Sequence, residues 1–132
     1  MIRIRHSHNP YQELEIEGSS AEFSELRTAI LAFCDHVEAS LEVAAESGFD
    51  PSPYQQTVGH LRLCKTKDPL LISVLGGKVL ISGMPKFLRL FAENLPYNCE
   101  HTSTVPYHVH FDRIGHEGYI SEASVDLILT LR

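Results

Sequence analysis

The hydrophobic period of the chain changes twice from two to three or four, and each change follows a glycine. The segment "ELEIEG", which ends at Gly18, alternates charged and apolar residues as a strand does. The next segment, "SSAEFSELRTAILAF", spaces its apolar residues three and four positions apart, which indicates a helix. "KVLISG", ending at Gly83, and "MPKFLRLFAENL" repeat this order. The sequence therefore predicts two strand–glycine–helix units.

Local signals give the approximate bounds of the elements. The N-terminal "IRIRHSH" alternates, with Ile2 and Ile4 on one face, and "NPY" then turns the chain into a hairpin. A first helix is predicted over residues 20–47, opened by a capping box of Ser19 and Glu22. A second is predicted over 85–95. "LLISVLGGKVLISG" predicts another hairpin, and "VPYHVHFD" and "SVDLILTL" predict two final strands.

These elements predict an α+β fold. The expected architecture is one mainly antiparallel sheet of about six or seven strands with two helices on one face. The 132 residues suit a single domain, 1–132. Within it, the two similar units suggest an internal repeat of two ββαβ halves, 1–68 and 69–132.

Composition narrows the classes of partner. A formal net charge of -6 argues against nucleic acid, which attracts basic surfaces. No apolar run reaches the roughly 18 residues that cross a membrane, so no membrane association is expected. The N-terminus has no signal-peptide pattern, which predicts a cytoplasmic protein. The three cysteines contain no C-x-x-C pair and favour neither a disulfide framework nor a thiolate zinc site.

The strand "VPYHVHFD" carries the residues with the most chemical potential. Alternation places His108, His110 and Asp112 together on its polar face. Side chains two apart lie roughly 7 Å apart along a strand, so the histidines, with His116 as a third ligand, are one candidate metal site. The other interpretations are a structural role, in which imidazole and carboxylate anchor the loop 113–122, and a contact with a partner. We expect no cofactor.

No catalytic arrangement is apparent elsewhere. Cys99 and His101 are close in sequence but have no visible orienting group, and "LGGK" lacks the spacing of a phosphate-binding loop. The chain is therefore predicted to be a non-enzymatic binding protein. Two alternatives stay open, a metal-binding enzyme centred on His108 and His110, and a structural or oligomeric module.

Acidic residues dominate the first predicted helix and the residues after it. Between positions 22 and 50 the only Lys or Arg is Arg27, against seven carboxylates. These charges indicate either a solvated helix exterior or a surface that binds a basic partner. The candidate contact residues on this face are Asp35, Glu38, Glu42 and Glu46.

The C-terminal part, about residues 78–131, resembles a known family. A strand ending in "ISG", a helix "FLRLFAENL", then "HVHFD", a glycine-containing loop and "SEASVDLIL" resemble immunity protein family 32 of bacterial polymorphic toxin systems. The matching residues are His108, His110, Asp112, Ser124 and Leu127. The resemblance implies a small cytoplasmic α+β protein that binds and neutralises a cognate toxin. If the acidic residues 22–50 are a binding surface, that toxin would be a basic domain.

Overall fold

The computed structural model describes residues 1–97, 107–111 and 118–132, with only the backbone of Tyr107. These residues form two helices and nine strands. Their bounds are β1 Arg3–Ser7, β2 Glu13–Gly18, α1 Ser20–Asp35, β3 Ser40–Ala44, β4 Gln56–Thr57, β5 His60–Lys65, β6 Leu71–Leu75, β7 Lys78–Gly83, α2 Pro85–Glu93, β8 Tyr107–Phe111 and β9 Asp126–Leu131.

The strands form two mixed sheets. One has five strands in the order β4-β1-β2-β9-β8, and the other has four in the order β3-β5-β7-β6. Each contains one parallel pair, β2 with β9 and β5 with β7, and all other pairs are antiparallel. The predicted α+β class, rich in sheet, is confirmed. The predicted arrangement of one sheet with six or seven strands is wrong, because the strands are divided between two sheets.

Apart from the two-residue strand β4, the two halves of the chain have the same order of elements, and each half contributes two strands to the sheet of the other. Each half starts with a hairpin and a helix, β1-β2-α1 and β6-β7-α2. In the first half, β3 and β5 follow and join the sheet of β6 and β7. In the second half, β8 and β9 follow and join the sheet of β1 and β2. We call these two pairs the exchanged strands. The internal repeat of 1–68 and 69–132 stays a prediction, and this common order is consistent with it.

Helix α1 begins as predicted but ends earlier. Its capping box is complete, since Glu22 N–H donates to Ser19 Oγ at 3.1 Å and Ser19 N–H donates to Glu22 Oε1 at 2.9 Å. It ends at Asp35, so the predicted extension to residue 47 is wrong. In "HVEASLEVAAES" the apolar residues fit both a helical and an alternating period. Pairing of β3 with β5 decides between them and leaves Val37 fully exposed.

Helix α2 confirms the second predicted helix, with Pro85 in its first turn. It packs beside α1, where Cys34 Sγ lies 3.7 Å from the carbonyl oxygen of Pro85 and Arg89 pairs with Asp35. Both helices and both sheets contribute to one hydrophobic core. Its largest fully buried side chains include Ile4, Leu14, Ile16, Phe23, Ile30, Leu61, Leu63, Ile81, Phe91 and Phe111.

His6 is a buried polar residue on the apolar face of β1. Its exposed fraction is 1%, and its Nδ1 lies 2.8 Å from Gln56 Nε2. Because that amide nitrogen can only donate, Nδ1 accepts and the neutral ring carries its proton on Nε2. Burial lowers the pKa of His6, and the neighbouring His8 ring, 4.4 Å away between centroids, lowers it further.

This burial predicts a loss of stability in mild acid. The pKa of His6 is lower in the folded than in the unfolded chain, so the unfolded chain binds more protons once the pH falls below about 6.5. The free energy of unfolding should therefore fall from pH 7.5 to pH 5.5. His6→Gln should reduce this fall, because glutamine does not titrate. Its amide oxygen can still accept the hydrogen bond from Gln56. Denaturant titrations at several pH values measure it.

The exposed His60 on β5 provides the control. His60→Gln is expected to reproduce the pH dependence of the unaltered protein. Equal losses of stability with pH in His6→Gln and in the unaltered protein would show that His6 does not cause the loss.

Candidate functional site

The outward side of the five-stranded sheet is strongly polar. We call this side the polar face. Its side chains come from alternate positions of four neighbouring strands, and the register places Arg5 beside Glu15 and His108 beside Thr130. The predicted alternation is confirmed in β8, where His108 and His110 are exposed and Phe111 is buried.

Hydrogen bonds connect His108 to the interior of the polar face. Thr130 Oγ1 donates to Glu15 Oε2 at 3.0 Å, and His108 Nδ1 lies 2.9 Å from the same Thr130 oxygen. Since the single hydroxyl proton of Thr130 goes to Glu15, His108 donates through Nδ1–H. Glu15 also accepts from Arg5 Nη1 at 2.6 Å. The His108 ring is thereby oriented with Nδ1 on Thr130 and Nε2 directed away from it.

The chain itself covers the other end of the polar face. Phe49 lies against two guanidinium groups, with its ring centroid 5.1 Å from Arg3 and 5.0 Å from Arg5. Tyr54 is also near, and burial, followed by the charges of Glu15 and Glu13, raises its pKa to about 12. Arg5 Nη1 pairs with Glu15 and Glu17, whereas Arg5 Nε is buried without a hydrogen-bond partner among the described residues.

His110 has different surroundings from His108. It contributes to a cavity of about 290 Å³ at the start of β2 and β9. The other lining residues are Tyr11, Gln12, Glu13, Asp126, Leu127 and Ile128. The two histidines thus share a face of β8, but one is held by Thr130 and the other borders an open cavity.

The structure does not complete the candidate metal site. Asp112 and His116 lie outside the described residues. Within 1–97, 107–111 and 118–132, no three His, Cys, Asp or Glu side chains form a group that could hold a metal ion. The metal and loop-anchoring interpretations of the histidines stay predictions.

The acidic candidates do not share a helix face, which corrects the sequence-based arrangement. Asp35 ends α1, Glu38 lies in the following connection, Glu42 is in β3 and Glu46 comes after it. Their separation follows from the end of α1 at Asp35. Their roles in binding a partner stay predictions.

Most of these carboxylates are paired within the chain. Asp35 pairs with Arg89, Glu42 Oε1 lies 3.5 Å from Arg62 Nε, and Glu46 Oε2 lies 2.6 Å from Arg3 Nε. Glu38 differs, because its side chain is 64% exposed and its Oε2 lies 3.9 Å from His36 Nδ1. Glu38 therefore retains the most available charge of the four.

A groove between α1 and β3 was not predicted from the sequence. It consists of two cavities of about 280 and 380 Å³ that share Ala29. The sequence contained a signal for it in the alternating "SLEVA", which the helical interpretation of residues 20–47 obscured. The groove places part of the acidic segment beside an apolar surface, an arrangement suited to binding another chain.

Within the described residues, neither helix is long and apolar enough to cross a membrane.

Comparison with known proteins gives one positive result. Searches of curated proteins and of solved structures found no match. Residues 78–131, which include β7, α2, β8 and β9, match the family model described as immunity protein 32, and this confirms the family similarity predicted for the C-terminal part of the chain.

Proposed function

We propose that this protein neutralises a cognate bacterial toxin by binding it directly in the cytoplasm. The observation that carries the proposal is the match of residues 78–131 to a family of immunity proteins, whose partners are toxins in general. The matched segment supplies strands to both sheets, so it is integral to the fold. The toxin would come from a polymorphic toxin system, as the family similarity implies.

We further propose that the toxin domain is basic. The chain has a formal net charge of -6, which would attract a positively charged domain over several ångströms before contact. Such steering acts mainly on the association rate and is screened beyond about 8 Å at 0.15 M salt. A basic partner also suits the groove between α1 and β3, which is bordered by carboxylates.

Coexpression with the toxin domain encoded beside the protein's own gene tests the function. Cells that produce the toxin domain alone should stop growing, and cells that also produce this protein should grow. Purified protein should form a stoichiometric complex with an inactivated toxin domain, measured by isothermal titration calorimetry. A noncognate immunity protein of similar charge provides the control.

The two readouts separate neutralisation from direct binding. Absence of growth protection would contradict the immunity function. Growth protection without a measurable complex would contradict neutralisation by direct binding and would leave an indirect mechanism.

A further inference from the structure

Strand β3 is at the edge of the four-stranded sheet, and two hydrogen bonds define its orientation. Ala45 N–H donates to the Gly59 carbonyl at 3.0 Å, and Lys65 N–H donates to the Ala39 carbonyl at 3.1 Å. In an antiparallel ladder, the backbone groups of successive residues point alternately toward and away from the partner strand. These two bonds therefore fix which residues of β3 face β5.

The alternation leaves one row of backbone groups directed outward. Leu41 and Val43 share the parity of Ala39 and direct their N–H and C=O groups toward β5. Ser40, Glu42 and Ala44 direct theirs to the other side. In the part of the chain that the structure describes, no backbone hydrogen bond fills these outward positions. We call this row the β3 edge.

Glu46, the next outward-directed residue after Ala44, shows that backbone groups on this side of β3 can pair with another segment. Glu46 N–H donates to the carbonyl of Ile2 at 2.8 Å. The opposite edge of the sheet, at β6, is also occupied, because Val125 N–H donates to Ile72 O at 2.9 Å and Ile72 N–H donates to Ser124 Oγ at 3.0 Å. Among the described residues, the β3 edge thus has a vacant stretch that one further strand would fit.

The groove beside the β3 edge has an apolar floor and an acidic rim. The floor comes from α1 and β3, and its residues are Leu26, Ala29, Ala32, Phe33, Leu41 and Val43. Glu22, Glu25 and Glu38 border it. The positive groups near it are the N-terminal ammonium, which pairs with Glu22, and Lys65, whose Nζ lies 4.5 Å from the Phe33 ring centroid. An extended segment on the β3 edge would direct alternate side chains toward this floor.

Two of the rim carboxylates keep an available charge. Glu22 is ionised, but its charge is compensated by the N-terminal ammonium and Arg132. Burial raises its pKa, but hydrogen bonds from the N-terminal ammonium and from Ser19, with the charge of Arg132, lower it to about 2. Glu25 and Glu38 are exposed, and neither is paired with a Lys or Arg in the described part of the chain. Their charge is complementary to a basic segment.

A second copy of this chain fits the β3 edge less well. Antiparallel pairing of two β3 strands in the register that uses all of Ser40–Ala44 has its two-fold axis at Glu42 and would place Glu42 opposite the Glu42 of the second copy. Like charges directly opposite each other destabilise a strand pair. A segment with Lys or Arg at that position would instead gain a favourable cross-strand pair.

We infer that the β3 edge binds an extended basic segment of the toxin as an added strand. The backbone of the segment pairs with Ser40, Glu42 and Ala44, and its small apolar side chains enter the groove between α1 and β3. Backbone pairing supplies affinity in this mode, and the groove supplies specificity. The inference rests on the proposed immunity function and assigns its contact surface.

The substitution Glu42→Pro tests the backbone contribution. Proline removes an N–H that points away from β5, and it is tolerated on edge strands in that orientation. With the inactivated toxin domain, Glu42→Pro should raise Kd about tenfold or more, because it removes one hydrogen bond and places a ring on the edge. Glu42→Ala keeps the N–H and should raise Kd by less than about threefold.

The rim charges are tested separately. The double variant Glu25→Lys/Glu38→Lys should slow association at low salt by about tenfold and flatten its salt dependence. The control Asp68→Lys/Glu93→Lys makes the same charge change of +4 at two exposed positions outside the groove and should have a smaller effect. Equal association rates for both variants would contradict recognition of a basic segment by the groove.

Hydrogen exchange on the unaltered protein gives a readout that no substitution affects. The amides of Ser40, Glu42 and Ala44 should become protected when the toxin domain binds. Unchanged protection at these amides, or unaltered binding by folded Glu42→Pro, would overturn strand addition while leaving the immunity function intact. A dimer of this protein that Glu42→Pro dissociates would assign the edge to a second copy and also overturn the inference. Failure of the unaltered protein to bind the toxin domain would instead contradict the proposed function.

Discussion

Replacing Phe91 with alanine is expected to lower the free energy of unfolding by about 3–5 kcal/mol. Phe91 is fully buried in α2, and its ring contacts Phe111 of β8 edge to face with 5.3 Å between centroids. Phe111 in turn contacts Tyr119, at 6.1 Å. Truncation would leave a cavity where α2, β8 and the segment before β9 meet, and would also remove an aromatic pair.

Leu90 is the matched control because it is on the same helix and is 37% exposed. Leu90→Ala should cost less than about 1 kcal/mol, since a partly exposed side chain leaves little cavity. Denaturant unfolding of both variants measures the difference. Similar costs for the two substitutions would show that the contact between α2 and β8 is not closely packed.

Replacing Gly83 with alanine is expected to cost about 1–3 kcal/mol by overpacking. An added Cβ would lie 2.8 Å from Leu70 Cδ2 and 3.2 Å from Leu70 Cα. The backbone of Leu70 has little freedom to move away, because its N–H donates to Tyr119 O and its carbonyl accepts from Ser121 N–H, both at 2.7 Å. The glycine at the end of β7 is therefore required by the close approach of another backbone.

Gly59 provides the contrast, because an added Cβ there would meet no atom within 4 Å. Its φ is not positive, so Gly59→Ala should be neutral or stabilise by about 0.4–1 kcal/mol through the unfolded chain. Thermal unfolding of the two alanine variants compares them directly. A smaller loss of stability for Gly83→Ala than for Gly59→Ala would contradict the packing explanation.

Local features of the fold could be predicted because they depend on neighbouring residues. The capping box at Ser19 involves atoms three residues apart, and the buried face of β1 follows from strict alternation at Ile2 and Ile4. The end of α1 could not be predicted in this way. The segment after Asp35 fits two periods, and the choice depends on pairing with β5, about twenty residues further along the chain.

The candidate site shows the same limit. Alternation correctly placed His108 and His110 on the exposed side of β8. The hydrogen bond that links Thr130 to Glu15, and so orients His108, depends on the parallel register of β2 and β9. No local pattern encodes a register between segments separated by more than a hundred residues.

The exchanged strands affect whether residues 78–131, the segment similar to the family model, can fold on a different N-terminal half. The matched residues 78–131 contain β7 and β9 but not β5 and β2, the parallel neighbours of these strands. A chain that receives this segment must therefore provide two strands, one that pairs with β9 and one that pairs with β7. We expect a chimera that carries this segment to fold only where its N-terminal half provides strands equivalent to β2 and β5.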